Sequence, residues 1–204
     1  MKYIKILGLA AVAAMALMAF GAGTASATKL CTTAGDTTNC GSHYPINTTV
    51  EGTLTGSAVL ETTGGTVLDT CTGSTVSGKT TSTAATGSTV TGNVETLTWT
   101  GCTFTTHTIA KGSLEIKHIS GTDNGTLTGR NQEVTIKTGL FGPCIYGTAA
   151  GTDLGTVTGG NPASITINAL VPLTKDDGGI CPSEARWTAS YAITTPKPLY
   201  VSHN

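Results

Sequence analysis

The sequence predicts an all-β fold, a two-sheet antiparallel sandwich cross-linked by disulfides. Three observations carry that expectation. Apolar and polar residues alternate with a period of two along most of the chain, threonine and glycine stand where helix formers would, and six cysteines follow an apolar leader. Threonine is β-branched and stiff at χ1, which suits a pleated strand better than a helix. The 27 glycines punctuate the strands rather than fill them. A barrel-like closure of the same strands is the alternative arrangement.

The leader comes first. Lys2 and Lys5 precede the apolar run 6–20, and Ala25-Ser26-Ala27 has the small-x-small form of a cleavage site. Residues 1–27 are therefore expected to be a signal peptide, with a mature chain starting at Thr28. The run falls short of the roughly 20 residues that a span requires, and no later stretch is more apolar, so no membrane span is expected after cleavage. Residues 28–46 form a polar, cysteine-clamped lead-in, and 47–204 a single β-sandwich domain. The full chain has a net charge of −1. Losing the two leader lysines takes it to about −3. With no basic patch, nucleic acid is not an expected partner. Charged residues are only 11% of the chain, so the surface must be made largely of neutral hydroxyls.

Cys31, Cys40, Cys71, Cys102, Cys144 and Cys181 all lie beyond the leader. An even count behind a secretion signal reads as three disulfides, with many connectivities open. Sequential pairing, 31–40, 71–102 and 144–181, is the expected one. No two cysteines have the close spacing of a zinc site.

The strands follow. Residues 114–119 put Leu114, Ile116 and His118 on one face. Residues 133–138 do the same with Val134 and Ile136, and 164–170 with Ile165, Ile167 and Ala169. In 186–193, Trp187, Ala189, Tyr191 and Ile193 alternate with polar or small residues. Trp187, Tyr191, Ile193, Trp99, Leu97, Ile165 and Ile167 are the predicted core. Gly64-Gly65, Asn124-Gly125, Gly159-Gly160 and Gly178-Gly179 supply the turns. "GTLTG" at 52–56 and 125–129, and "GTVTG" at 155–159, recur at no fixed period, so a solenoid is excluded. Each reads as a short strand with one aliphatic residue inward, two threonines outward and bent ends. A regular threonine array would need rows in register, which uneven spacing does not supply.

Candidate chemistry is thin. His107 and His118 could meet on adjacent strands with Glu115 or Asp123, but not at metal-ligand spacing. Glu95, Glu115 and Glu133 could form a carboxylate pair, yet each also fits an exposed strand position. Asp176-Asp177 lacks a calcium-loop layout and suits a turn. Asn47 and Asn124 head N-x-T sequons. No catalytic residue, metal ligand or cofactor is assigned.

The segments "CIYGT" at 144–148, "DLGTVTG" at 153–159, "ASITINA" at 163–169, "RWTASY" at 186–191 and "PLYV" at 198–201 resemble a group of small secreted proteins of soil actinobacteria. The likeness covers most of 47–201. It implies secretion and a β-rich fold and carries no catalytic residues. The leader, the Thr/Gly-rich strands and "WTGC" at 99–102 are similar to secreted alkane-oxidation-activator-like proteins. Together these readings lead to an expectation of a secreted, non-enzymatic structural, adhesive or cell-surface-associated protein, partnered by itself or by cell-surface material. A carbohydrate- or apolar-ligand-binding module is the alternative, and a small secreted hydrolase the third reading. Tyr44, Tyr146, Tyr200 and Phe141 lining one open groove would favour the binding module.

Overall fold

The computed structural model describes residues 27–35, 40–82, 89–137, 143–149, 151–178 and 180–203. Residues 1–26 of the expected leader, Phe141, Gly179 and Asn204 lie outside them. Among the described residues the chain is all strand and turn. In order the strands are β1 (Thr28–Cys31), β2 (Thr49–Leu54), β3 (Ala58–Thr62), β4 (Val67–Thr80), β5 (Val90–Cys102), β6 (Thr105–Ala110), β7 (Ser113–His118), β8 (Gly125–Arg130), β9 (Gln132–Lys137), β10 (Cys144–Thr148), β11 (Thr152–Thr158), β12 (Ser164–Asp176), β13 (Glu184–Thr195) and β14 (Tyr200–His203). Among the described residues, no helix is long and apolar enough to cross a membrane.

The strands form two antiparallel sheets. The small one pairs β1 with β14. The large one runs β2-β13-β3-β4-β5-β7-β8-β11-β12-β10-β9-β6, with added pairings of β2 to β4 and β13 to β12. Those added pairings fold the large sheet back so that its faces enclose a common interior. The sheet as a whole is not a closed barrel: β6 is a terminal strand and joins β5 through no backbone ladder, although β2, β4, β5, β7, β8, β11, β12 and β13 pair in a continuous ring. Four strands are longer than the sequence suggests. β4 has 14 residues, β5 and β12 have 13 and β13 has 12. β4, β12 and β13 change neighbours along their length, and β5 keeps β4 throughout but pairs with β7 only at its start. The start of β12 pairs with β11 and its end with β10, while β13 pairs with its Ser164–Pro172 stretch.

The period of two is met in detail. Along β12, Ile165, Ile167, Ala169 and Val171 are buried and the residues between them exposed. Along β13, Ala185, Ala189, Tyr191 and Ile193 are buried. Trp99, Trp187 and Leu97 differ from the expectation: they are only partly buried, because they border a cavity rather than fill a close-packed layer. In the recurring motif Leu127 and Val157 point inward and are 1% exposed. The glycines of the 125–129 copy do more than bend the chain. Gly125 and Gly129 share the inward face of Leu127, and a Cβ at Gly129 would meet the Leu154 side chain at 2.8 Å. Glycine there admits a neighbour into the core. Gly155, by contrast, has φ +143 and sits at a register shift, which is the bulge role glycine serves.

The disulfides join Cys31 to Cys40, Cys71 to Cys102 and Cys144 to Cys181, the bonds of an oxidising environment. Cys71 and Cys102 face each other across β4 and β5. The lead-in is packed into the body: Leu30 is 4% exposed, β1 pairs with β14, and Tyr44 donates from its hydroxyl to the Pro198 carbonyl at 2.5 Å.

Candidate functional site

Two places combine defined geometry with accessible chemistry. The first is the outer face of β4 and β5. Alternation turns Ser74 and Val76 inward, so Thr75, Ser77, Lys79 and Thr81 face out. Their cross-strand neighbours turn the same way. Thr75 and Thr98 hydroxyls lie 2.6 Å apart, Ser77 and Thr96 2.6 Å, and Thr81 and Thr91 2.8 Å. Lys79 pairs with Glu95 at 3.5 Å within the same rows. The result is a stripe of paired hydroxyls, two strands wide, with one ion pair that cancels its own charge. Such pairs hold their rotamers and add a few tenths of a kcal/mol each to the sheet. The sequence concealed this stripe because its rows come from different words, "GSTVSG" at 73–78 and "ETLTWT" at 95–100. Only pairing brings them into register.

The second place is an apolar cavity of about 70 Å³. Its wall comes from β3 and β4 (Leu60, Cys71), from β5 and β13 (Trp99, Trp187) and from β9 and β10 (Val134, Tyr146). Trp99 and Trp187 meet edge to face with centroids 6.0 Å apart. The Trp99 Nε1–H donates to the Thr108 hydroxyl at 3.0 Å, which donates in turn to the Leu97 carbonyl at 2.8 Å. Among the described residues, Trp187 Nε1 is the buried side-chain polar atom without a hydrogen-bond partner. Asp69, 4% exposed, also reaches this wall. Its carboxylate accepts the Thr70 and Phe104 N–H groups at 2.8 and 3.1 Å, and the Thr106 hydroxyl. It thereby pins the turn from β5 into β6. Burial pushes the Tyr146 phenol up to about 12, helped by the negative charge of Asp176. A second cavity, about 80 Å³ and lined by aliphatic residues such as Val76, Leu127 and Ile193, lies under Leu30.

The other sequence candidates do not converge. His107 is on β6 and His118 on β7, which are not neighbours in the sheet. His118 instead contacts the Thr122 carbonyl at 2.6 Å through Nε2 and packs 5.0 Å from the His203 ring. Glu95 is taken by Lys79, and Glu115 by Arg130 at 2.8 Å. That contact raises the Arg130 pKa through its hydrogen bond and charge. Asp123 accepts the Gly35 N–H, Asp176 that of Gly178 at 2.9 Å, and Asp177 pairs with Lys175 at 2.9 Å. Asp69 lies beside Cys71 and Cys102, but those sulfurs are bonded to each other. Tyr44 and Tyr200 stand near the β1–β14 end, whereas Tyr146 lines the aromatic cavity, so the three form no common groove. No family model matches the chain, and neither a curated protein nor a solved structure matches it.

Proposed function

We propose that this is a secreted, non-enzymatic protein that associates through its hydroxyl-covered outer face with hydroxyl-rich cell-surface material or with further copies of itself. The observation that supports this reading is the stripe Thr75/Thr98, Ser77/Thr96 and Thr81/Thr91. Hydroxyls already ordered by their partners lose little further freedom on docking, and each keeps unused hydrogen-bonding capacity for a polysaccharide or a second stripe. The apolar leader and the three disulfides fit an extracellular setting.

Retention of the mature protein on insoluble cell-wall polysaccharide, with sedimentation in parallel, tests the reading. Association at micromolar concentration should persist from low to about 1 M salt, since screening weakens only charge-driven contacts. Thr96→Lys with Thr98→Lys should lower it about tenfold without changing the melting temperature. Thr128 would be a poor site for that test: β8 is paired on both sides, by β7 and β11. A clean monomer with no retention on any such material would overturn the proposal.

A further inference from the structure

We infer that the cavity between Trp99, Trp187 and Tyr146 is a binding site for a small, uncharged, apolar molecule. Protein interiors are packed nearly as densely as organic crystals, and voids larger than a water are few. About 70 Å³ bordered by both tryptophans of the chain departs from that rule at the place with the most aromatic surface. On a scale where one water needs roughly 10–15 Å³, this admits a molecule of about five or six heavy atoms.

The wall selects the ligand's chemistry. Leu60, Val134, Ile136 and Val171 offer only dispersion. The Asp69 carboxylate repels anions. Its oxygens are already engaged by Thr70, Phe104 and Thr106, and a cation would also lose its hydration against an otherwise apolar wall. A neutral guest remains. The polar side chains on the wall are engaged with one another or with Asp69, Thr148 with Gln132 and Thr106 with Asp69, so the guest is held by dispersion.

Access follows from the topology. β5 pairs with β7 only through Val90–Asn93, and β6 pairs only with β9. The facing flanks of β5 and β6 are joined by the Thr108 side chain, through Leu97 and Trp99. Opening this seam breaks the two hydrogen bonds of Thr108 and the one from Thr106 to Asp69, and no backbone ladder.

The chain holds two tryptophans, so its indole N–H resonances form a two-peak NMR readout, assignable with Trp99→Phe and Trp187→Phe. Cyclopentanone, cyclopentane, cyclopentylamine and cyclopentanecarboxylate are the probes. Cyclopentane and cyclopentanone should both shift the indole signals saturably, cyclopentane at least as tightly, and the charged pair should not bind. If Trp187→Phe does not fold, the wild-type comparison of the four probes still decides. No saturable shift with either neutral ring, or equal response to all four probes, would overturn the inference.

Discussion

Tyr191 shows how one side chain joins local pattern to global stability. Its place in the alternation of β13 turns it inward, where it is 2% exposed and its hydroxyl lies 2.9 Å from that of Ser74 on β4. Burial pushes its pKa from 10.0 up to about 12, against the opposing effect of the Ser74 hydrogen bond. The unfolded chain ionises this phenol first, near pH 10. The stability from keeping it neutral is therefore intact below pH 10 and is lost as pH rises through about 12. For one such tyrosine the loss amounts to ~2–3 kcal/mol. Alkaline titration followed by tyrosinate absorbance and circular dichroism should show Tyr191 and Tyr146 ionising together with unfolding in that window. Tyr191→Phe should shallow the pH dependence. It should also lower stability near neutral pH by about 1 kcal/mol, because Ser74 loses its partner. Ionisation of all tyrosines near pH 10 in a folded chain would contradict this account.

At the scale of the element, β8 shows why a motif is not a role. "GTLTG" at 52–56 lies at the end of β2, with Gly56 in a turn at φ +81. The same five residues at 125–129 make up most of a central strand. There Gly129 admits Leu154 and Gln132 into the core. Gly129→Ala would bring a methyl within 2.5 Å of the Gln132 amide oxygen. It should cost about 1–3 kcal/mol by overpacking, read from the urea midpoint. Gly56→Ala leaves no steric clash, and its smaller penalty comes from the backbone alone. Equal penalties would mean that the core beside Gly129 relaxes freely. Inward and outward faces were legible because alternation is local. The lengths of β4, β5, β12 and β13 were not, because a strand that trades or loses a neighbour carries no local mark of the change.

The whole molecule is stitched at three levels of sequence separation. Cys31–Cys40 spans 9 residues, Cys71–Cys102 31 and Cys144–Cys181 37. On the chain-entropy model, replacing Cys71 and Cys102 by alanine should cost ~3.5–4 kcal/mol, and replacing Cys31 and Cys40 ~2.5 kcal/mol. The two losses should differ in kind. β1 meets the body through β14, His118 and Tyr44, so loss of its disulfide should raise amide exchange in β1 and β14 while β4 and β5 stay protected. Loss of Cys71–Cys102 should lower the global unfolding midpoint. Global loosening from the Cys31–Cys40 variant would show that the terminal pair of strands is part of the folding core.

The sequence by itself determined the fold class, the disulfide count and the inward faces of β12 and β13. Each of these depends on short-range chemistry: β-branching, alternation and an even cysteine count. Only the tertiary structure decided which strands pair, and pairing created both candidate sites. Thr75 meets Thr98 because β4 and β5 align in one register; a slip of one residue would turn the row inward. Trp99 and Trp187, 88 positions apart in the chain, meet because the large sheet folds over and brings β5 against β13. Contacts at such separations depend on the summed burial of many strands, a quantity that no window of the sequence contains.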